Sequence, residues 1–466
     1  MNTSLAEKIV EDKKNGISDK EIGKKFGVNL KLIEKAVTQQ LGVNISNPSK
    51  RKKKIISLDP QSFELETSTV WSFKSRGKWA THNGNYRGNW SPYIPRNVIL
   101  RYSKEGDIVL DYFCGGGTTA VESKLLNRNF IGIDINSSAI ELSKENLDFD
   151  SDLFSPNPSI ILKVGDARNL STIHENSIDL ICAHPPYADI VAYSHGNPSD
   201  LSSRDVGGFL DEIEKVARES YRVLKPKAHC AILIGDMRKN KNVIPLGFWT
   251  IGKYLEAGFK IKELIIKRQH NCKTTGFWYN NSVKYNFLLL AHEYLAIFEK
   301  TKTNEEYENR TTALSKGFKI DKEIYLESTT VWIFNKNDWE GKAISNLFKR
   351  YSAKKPLLYK NSAKDASVDL IVNIGPKNID ACFKYSEKNL KDGGILAIFC
   401  EDTRGKHGLI KSTAMEVEKG LRGNKSFTLK ELVILSIENG KPKNNADIEI
   451  THKYILIYIK AQINGK

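Results

Sequence analysis

The sequence contains no long apolar run, and this absence limits the kinds of protein it can encode. A membrane-spanning helix needs roughly 18 uninterrupted apolar residues. The most apolar stretch, residues 286–298, is interrupted by His292 and Glu293 and predicts a paired strand or a buried helix. The N-terminal residues 1–16 contain no apolar signal core. We therefore expect a cytoplasmic protein that does not bind a membrane.

Closely spaced cysteines are also missing. The six cysteines are scattered, at positions 114, 182, 230, 272, 382 and 400. Zinc clusters and disulfide frameworks need cysteines at short, regular spacings. We therefore expect neither a metal site nor disulfide bonds, and most of these thiols should pack as small buried hydrophobic groups.

Acidic residues are too few to balance the basic ones. The chain has 71 Lys and Arg against 55 Asp and Glu, which gives a net charge of +16. Such an excess suits a polyanionic partner, because neutralising phosphates supplies much of the affinity for nucleic acids. A generally lysine-rich proteome would produce the same excess, so charge by itself leaves the partner open.

A length of 466 residues predicts two or three domains. Residues 1–45 are typical of a small helical unit, in which a helix over Asp19–Phe26, a glycine turn and a second helix over Leu30–Val37 resemble a helix-turn-helix. A plain helical hairpin or an assembly module would show the same pattern. Residues 46–60 include a basic cluster and predict a linker.

Residues 61–300 alternate short apolar strands with amphipathic helices. This alternation predicts an α/β fold with a doubly wound, mostly parallel, Rossmann-like sheet. The predicted strands are Ile108–Leu110, Phe130–Ile133, Ile160–Val164, Asp179–Ala183, Cys230–Ile234, Ile261–Ile266 and Asn286–Ala291.

Residues 301–466 contain what we interpret as a partial repeat of the preceding segment. Three matches occur in the same order: Glu66–Phe73 with Glu327–Phe334, Ser177–Ile181 with Ser367–Ile371, and Leu224–Arg238 with Leu390–Arg404. The second copy is shorter and lacks the glycine loop described next. We therefore expect a degenerate α/β half without cofactor chemistry of its own.

Residues 107–119 combine a strand, three consecutive glycines and the start of a helix. The loop differs from the dinucleotide and triphosphate motifs, GxGxxG and GxxxxGK[ST]. Asp134 ends the next strand, at the position from which an acid binds ribose hydroxyls, and Asp166 ends the third, where it would face an adenine amino group. Helix capping or loop polarity would explain either acid alone. Together they predict a nucleoside site at the carboxyl edge of the sheet.

The fourth strand ends in His184-Pro185-Pro186-Tyr187. Here the sequence resembles the amino-methyltransferase family that acts on adenine N6 or cytosine N4 in DNA. The tetrapeptide is similar to the family's catalytic motif, [D/N/S]-P-P-[Y/F/W], and differs from it only at His184. The resemblance covers roughly residues 79–300, about half of the chain.

The glycine loop resembles the family's cofactor motif, D-P-F-x-G-S-G-T, and departs from it at Tyr112 and Gly116. Trp90–Ser103 is similar to the segment that precedes this motif and lines the methionine end of the cofactor. The resemblance implies a class I methyltransferase sheet and S-adenosyl-L-methionine as cofactor. The cofactor-binding residues that we take from the two motifs and the strand ends are Asp111, Phe113, Gly115, Gly117, Thr118, Asp134, Asp166, Ser91 and Pro92.

In the family, the first side chain of the catalytic motif and the first proline carbonyl accept the protons of the target amino group, a stabilisation felt most in the transition state. By resemblance these acceptors are His184 and the carbonyl of Pro185. The adjacent Pro186 helps to fix the direction of that carbonyl. Tyr187 would stack on a base flipped out of double-stranded DNA. An imidazole accepts a hydrogen bond only when unprotonated, and the departure at His184 leaves adenine or cytosine open as the target.

The resemblance implies a site-specific DNA methyltransferase of a restriction–modification system. Cutting would fall to a separate cognate endonuclease, since no nuclease motif is recognisable. Residues 301–466 are then the leading candidate for target recognition. Two other interpretations stay open: an RNA base methyltransferase, and a DNA-binding regulator built on an inactive methyltransferase fold.

Overall fold

The structure is a computed structural model. It describes residues 3–15, 17, 19–28, 32–33, 36, 55–84, 86, 88–150, 157–187, 200–270, 281–305, 307, 321, 323–351, 356–358, 367–374, 378–438 and 448–462. No helix within these residues is long and apolar enough to cross a bilayer. The five described cysteines are all buried, as expected for small apolar groups, and each is a free thiol; Cys272 lies outside the described residues.

The N-terminal unit contains helices α1 (Thr3–Lys14) and α2 (Asp19–Phe26). They pack through a small apolar core to which Ile9, Ile22 and Ile33 contribute. The predicted helix over residues 19–26 is confirmed. Most of the second predicted helix lies outside the described residues, so the helix-turn-helix stays a prediction.

The first half of the chain forms an eight-stranded sheet. Its strands, with a small hairpin formed by β7 and β8, are β1 (Val70–Trp71), β2 (Ile108–Asp111), β3 (Asn129–Asp134), β4 (Ile160–Val164), β5 (Ile178–Ala183), β6 (Leu224–Gly235), β7 (Met237–Lys239), β8 (Asn242–Ile244), β9 (Lys260–Arg268) and β10 (His292–Glu299). The helices beside them are α3 (Tyr93–Tyr102), α4 (Thr118–Leu125), α5 (Ser137–Asn146), α6 (Val206–Val223) and α7 (Leu246–Glu256).

The strand order is β4-β3-β2-β5-β6-β10-β9-β1. All neighbouring strands run parallel except β10, which is antiparallel to both β6 and β9. This order, with one reversed strand, confirms the doubly wound class I methyltransferase sheet. The crossover between β2 and β5 reverses the strand order, and such a switch point leaves a crevice for a ligand at the carboxyl ends of the strands.

One expectation about this half is wrong. The last strand is not residues 286–291 but β10, which begins at His292; the side chains of His292 and Glu293 are buried and hydrogen-bonded to Thr330 and Tyr187, outside the strand. Residues 55–60, part of the predicted linker, contact the sheet domain. Leu58 packs against the apolar cluster of Trp79, and the backbone N–H of Ala80 donates to the carbonyl of Ser57 at 2.7 Å.

The second half forms another sheet, with strand order β11-β16-β17-β14-β13-β12 and β15 paired to β14. Its elements are β11 (Val331–Asn335), α8 (Trp339–Arg350), β12 (Pro356–Leu358), β13 (Val368–Ile374), α9 (Ile379–Asn389), β14 (Leu390–Arg404), β15 (Ile410–Ser412), α10 (Thr413–Leu421), β16 (Phe427–Glu438) and β17 (His452–Lys460). This order repeats β1-β9-β10-β6-β5-β2 with the same strand directions, and the sheet ends where β3 and β4 would follow. This shared strand order is the one expected if the second half is a shortened duplicate of the first.

The two halves meet through pairs of equivalent contacts. Arg238 pairs with Glu431 at 2.5 Å, and its counterpart Arg404 pairs with Glu263 at 2.6 Å. His292 is hydrogen-bonded to the hydroxyl of Thr330 at 2.9 Å, while the corresponding contact between His452 and the hydroxyl of Thr69 measures 2.7 Å. The interface is therefore pseudo-symmetric, with each half contributing the same kind of group to the other.

Candidate active site

The cofactor loop leaves the carboxyl end of β2 and turns into α4. Gly117 stands at the helix N-terminus with φ of +79°, and a Cβ there would meet the Oγ of Ser143 at 2.9 Å. A Cβ on Gly116 would meet the side-chain nitrogen of Asn89 at 2.8 Å. The glycines thus allow α5 and the segment before α3 to approach the loop closely.

Two buried carboxylates hold this loop in place. Asp111 accepts from the backbone N–H of Phe113 at 2.9 Å and from the hydroxyl of Thr119 at 2.6 Å. Asp134, at the end of β3, accepts from the N–H of Gly115 at 2.8 Å. Burial raises the pKa of Asp111 to about 7 and that of Asp134 to about 6, against hydrogen bonds that lower them. The carboxyl groups of Asp111 and Asp134 therefore hold the loop and also line the cavity beside it.

Asp166 follows β4 and is engaged by a neighbour. The guanidinium of Arg168 donates to both of its oxygens and also reaches Glu212 on α6. Asp166 nevertheless lines the same cavity as Asp134. Asp200, which sequence reasoning missed, also lines this cavity.

A single cavity brings most of the predicted residues together. Of those predicted from the sequence, the residues that line it are Asp111, Phe113, Gly115, Thr118, Asp134, Asp166, His184, Pro185 and Pro186. The cofactor loop and the catalytic tetrapeptide therefore share one opening, as expected for a transfer between a bound nucleoside and a second substrate.

Four predicted residues are not among those that line the cavity. Gly117 lies at the start of α4, and Tyr187 contacts the edge of the His184 ring. The hydroxyl of Ser91 donates to the carbonyl of Arg76 at 2.9 Å, and Pro92 precedes the first residue of α3.

The segment that reaches the cavity is the one just before Ser91. It contributes residues that the sequence did not single out for this role: Tyr86, Gly88, Asn89 and Trp90. The motif similarity beginning at Trp90 was the available signal, but it did not extend to the residues before that position.

His184 is held between aromatic rings at the end of β5. The indole of Trp90 stacks on the imidazole, with ring centroids 5.7 Å apart and 21° between the planes, and Tyr187 contacts its edge. The Nδ1 atom is buried and has no hydrogen-bond partner within the described residues. Burial lowers the pKa of His184, and the charges of Lys267 and Arg76 lower it further, whereas Glu293 and the backbone of Gly88 oppose the shift. The ring is therefore neutral at pH 7 and able to accept a hydrogen bond.

Tyr187 is anchored by a carboxylate that sequence reasoning also missed. Its hydroxyl donates to Glu293 at 2.8 Å, and Glu293 pairs with Lys267 at 2.7 Å. Burial would raise the pKa of Glu293, but Lys267, His184 and the tyrosine hydroxyl outweigh it and lower the pKa to about 2. Glu293 is therefore a permanent anion behind the catalytic motif. The local sequence does not indicate a role for Glu293, because a single acid within an apolar segment shows neither which residues it contacts nor that it lies near the tetrapeptide.

The fold and the site define a class I methyltransferase-like protein in which the tetrapeptide of residues 184–187 follows β5. The sequence profile of the DNA methylase family, of N6 and N4 type, matches residues 6–145 and 178–360, more than half of the chain. The chain belongs to this family. A profile of RNA cap guanine-N2 methyltransferases matches the shorter range 106–245.

Individual relatives are similar over short segments. The Type II methyltransferase M.HpaI of Haemophilus parainfluenzae is 45% identical over 82 residues, which are 17% of this chain and 26% of that protein. M2.DpnII of Streptococcus pneumoniae is 37% identical over 86 residues, 18% of this chain and 31% of that protein. A tRNA (guanine(10)-N2)-dimethyltransferase of Methanothermobacter thermautotrophicus is 30% identical over 145 residues, 31% of this chain and 40% of that protein. The chain thus spans about a third or less of the first two relatives.

The family implies S-adenosyl-L-methionine as cofactor, and the cavity fits it. This cofactor carries a positively charged sulfonium and a ribose, which suit carboxylates that have no countercharge of their own. Burial raises the pKa values of Asp111 and Asp134, because it disfavours their ionised forms. A bound cation would stabilise those forms.

Proposed function

We propose that the chain methylates the exocyclic amino group of adenine (N6) or cytosine (N4) in double-stranded DNA. The observation that carries this proposal is the Nδ1 atom of His184, which is buried and unpartnered within the described residues at the cavity that the cofactor loop also lines. A buried polar atom without a partner is costly, and an amino group of a substrate would satisfy it.

The residues act on the amino group as it becomes a nucleophile. S-adenosyl-L-methionine supplies an electrophilic methyl group, whose C–S bond breaks as the new C–N bond forms. The Nδ1 of His184 and the carbonyl of Pro185 accept hydrogen bonds from the two amino protons, which localises the nitrogen lone pair and stabilises the positive charge that develops there. One of these protons then leaves to Nδ1 or to solvent, and the amine is again neutral. Tyr187, held by Glu293, would stack on the flipped base.

The remaining parts of the chain are assigned by the same proposal. The excess of basic residues, a net charge of +16, favours a nucleic acid as substrate. The helical unit of residues 1–45 and the second half, residues 301–466, are the proposed DNA-binding and target-recognition parts. Site-specific modification beside a separate cognate endonuclease is the proposed biological setting.

Labelled methyl transfer tests the proposal directly. Mixed-sequence DNA is incubated with labelled S-adenosyl-L-methionine, digested to nucleosides and analysed by mass. We expect N6-methyladenine or N4-methylcytosine, lost in His184→Ala and Pro186→Ala. Ile374→Ala serves as the matched control, because Ile374 ends β13 of the second sheet at the position that corresponds to the end of β5, which His184 follows. Transfer of the labelled methyl group to RNA and not to DNA would overturn the proposal.

An RNA base methyltransferase is the second candidate. It is favoured by the match of residues 106–245 to the RNA cap guanine-N2 methyltransferases and by the similarity to the archaeal tRNA enzyme. Parallel reactions with DNA and with total RNA separate the two candidates. Failure to bind the cofactor at all would instead favour an inactive regulator.

A further inference from the structure

We propose that Glu293 is a positioning residue of this active site, which acts through Tyr187 to keep the proton of His184 on Nε2 and so leaves Nδ1 free to accept. The inference rests on the proposed function for its role in methyl transfer. The tautomer itself is argued from the contacts of three side chains: Glu293 on β10, and His184 and Tyr187 in the segment after β5.

The first step is the direction of the hydrogen bonds. An ionised carboxylate only accepts, so the single hydroxyl proton of Tyr187 lies on the side of Glu293, at 2.8 Å. The phenol oxygen also faces the Nε2 of His184 at 3.4 Å, a long contact. With its proton committed, that oxygen can only accept from the imidazole. This contact favours the proton of the neutral ring on Nε2, which leaves the lone pair on Nδ1.

The second step is what fixes Glu293. It stands opposite Lys267 in the ladder of β10 and β9, and the two form an ion pair at 2.7 Å. On its other side it stands opposite Gly235 of β6, where a Cβ would lie 3.3 Å from both Glu293 and the hydroxyl of Tyr187. The absence of a side chain at Gly235 therefore leaves the room in which the carboxylate and the phenol meet.

The second half of the chain holds the start of the same strand. The hydroxyl of Thr330 accepts from the backbone N–H of Ala291 at 3.0 Å and is hydrogen-bonded to His292 at 2.9 Å. Glu293 is the next residue along β10. Its position is thus supported by a contact between the halves, and the degenerate half has a direct structural link to the catalytic motif.

The second sheet provides an internal comparison. His292 and His452 make equivalent contacts, so the residue that corresponds to Glu293 is Lys453. Lys453 stands opposite Leu435, where Glu293 stands opposite Lys267. The carboxylate and its lysine are therefore replaced in the second half, whose described residues form no strands equivalent to β3 and β4. If Glu293 and Lys267 served only the packing of this fold, we would expect the same pair in the second half.

The charges around His184 give the inference a pH signature. Glu293 raises the pKa of His184, whereas Lys267 and Arg76 lower it and burial lowers it most; the backbone of Gly88 acts in the same direction as Glu293. Replacing Glu293 by glutamine removes the negative charge and leaves Lys267 unpaired. The pKa of His184 then falls further, and the acidic limb of activity moves to lower pH.

The test compares the full chain with Glu293→Gln by nitrogen NMR of ¹⁵N-histidine-labelled protein, with the His184 signals assigned by substitution. We expect an Nε2–H tautomer in the parent chain and a mixture of both tautomers in the variant. The methyl-transfer kcat should fall on the order of tenfold, as for loss of one hydrogen bond to a charged group, with KM for the cofactor unchanged. The acidic limb should move to lower pH.

Two further variants guard against a folding artefact. Tyr187→Phe leaves the ion pair of Glu293 and Lys267 in place and should give the same tautomer mixture. Glu401→Gln breaks the ion pair with Lys453 in the second sheet and should change neither the tautomer nor kcat. A parent chain with the proton on Nδ1, or a Glu293→Gln variant with unaltered tautomer and kcat, would overturn the inference. Because the imidazole signals are read without DNA, they decide the tautomer even if no nucleic acid is methylated.

Discussion

The guanidinium of Arg238 donates two hydrogen bonds to the carboxylate of Glu431 in the other half of the chain, at 3.2 and 2.5 Å. Glu431 is fully buried, and burial raises its pKa even though Arg238 opposes the shift. The equivalent pair of Arg404 and Glu263 repeats this arrangement at 2.6 Å. The halves are thus joined by two nearly symmetric ion pairs.

Removal of one partner of this pair should destabilise the protein strongly. Arg238→Met leaves the buried carboxylate of Glu431 without its cation, and we expect a loss of about 3 kcal/mol in the free energy of unfolding, measured by urea denaturation. The double variant Arg238→Met with Glu431→Leu should recover most of the loss, because no buried charge remains. Arg218→Met, which breaks an exposed pair with Glu214 on α6, should have little effect. Equal losses in the single and double variants would contradict this account.

The identity of the residue at position 184 should set the pH profile. The pKa of His184 is lowered by burial, so activity should be retained at pH 6.5 and fall only below it as the ring is protonated. His184→Asn keeps an acceptor oxygen that does not titrate, and it should be active with a flat profile from about pH 8 to 5.5. Rates of methyl transfer across that range check both expectations. An unchanged acidic limb in His184→Asn would show that another group titrates.

Cofactor binding should release protons near neutral pH. The pKa values of Asp111 and Asp134 are raised by burial to about 7 and about 6, and a bound sulfonium cation would lower both. Affinity for S-adenosyl-L-methionine should therefore rise on the order of tenfold between pH 5.5 and 8, with proton release detected by calorimetry in buffers of different ionisation enthalpy. The uncharged thioether S-adenosylhomocysteine should show a weaker dependence.

The same carboxylates should affect stability in the absence of ligand. A carboxyl whose pKa is higher in the folded than in the unfolded chain binds its proton more tightly when folded. For Asp111 the contribution to stability is complete below about pH 3.8 and is lost as the pH rises to about 7. Asp111→Asn should reduce this part of the pH dependence of urea denaturation. An unchanged dependence would argue against the raised pKa.

Restoring the family's serine in the cofactor loop should impair this chain. Gly116→Ser adds a Cβ that would meet the side-chain nitrogen of Asn89 at 2.8 Å, in a segment that lines the cavity. We expect KM for the cofactor to rise on the order of tenfold, since a clash of this size must displace a neighbour. The double variant with Asn89→Ala should restore it. Rescue is the informative result, because simple misfolding would persist in the double variant.

Much of the first sheet follows from local sequence signals. Strands such as β4 over Ile160–Val164 and helices such as α2 over Asp19–Phe26 agree with their predicted bounds, because alternating or periodic apolar residues are bounded by turns and caps. The cofactor loop and the catalytic tetrapeptide are contiguous motifs and were recognisable for the same reason. The strand β10 was misplaced because its first two residues are polar, and their burial depends on partners far away in the chain.

The sequence by itself determined the order of strands and helices, the class of cofactor, and the pairing of a glycine loop with a histidine-containing tetrapeptide. These depend on short segments whose chemistry is local. Only the tertiary structure decided that Glu293 lies behind Tyr187 and that Trp90 stacks on His184. It also decided that the two halves exchange equivalent ion pairs across a pseudo-symmetric interface. Such contacts join residues ninety or more positions apart, and no local pattern of hydrophobicity or spacing encodes which of them will meet.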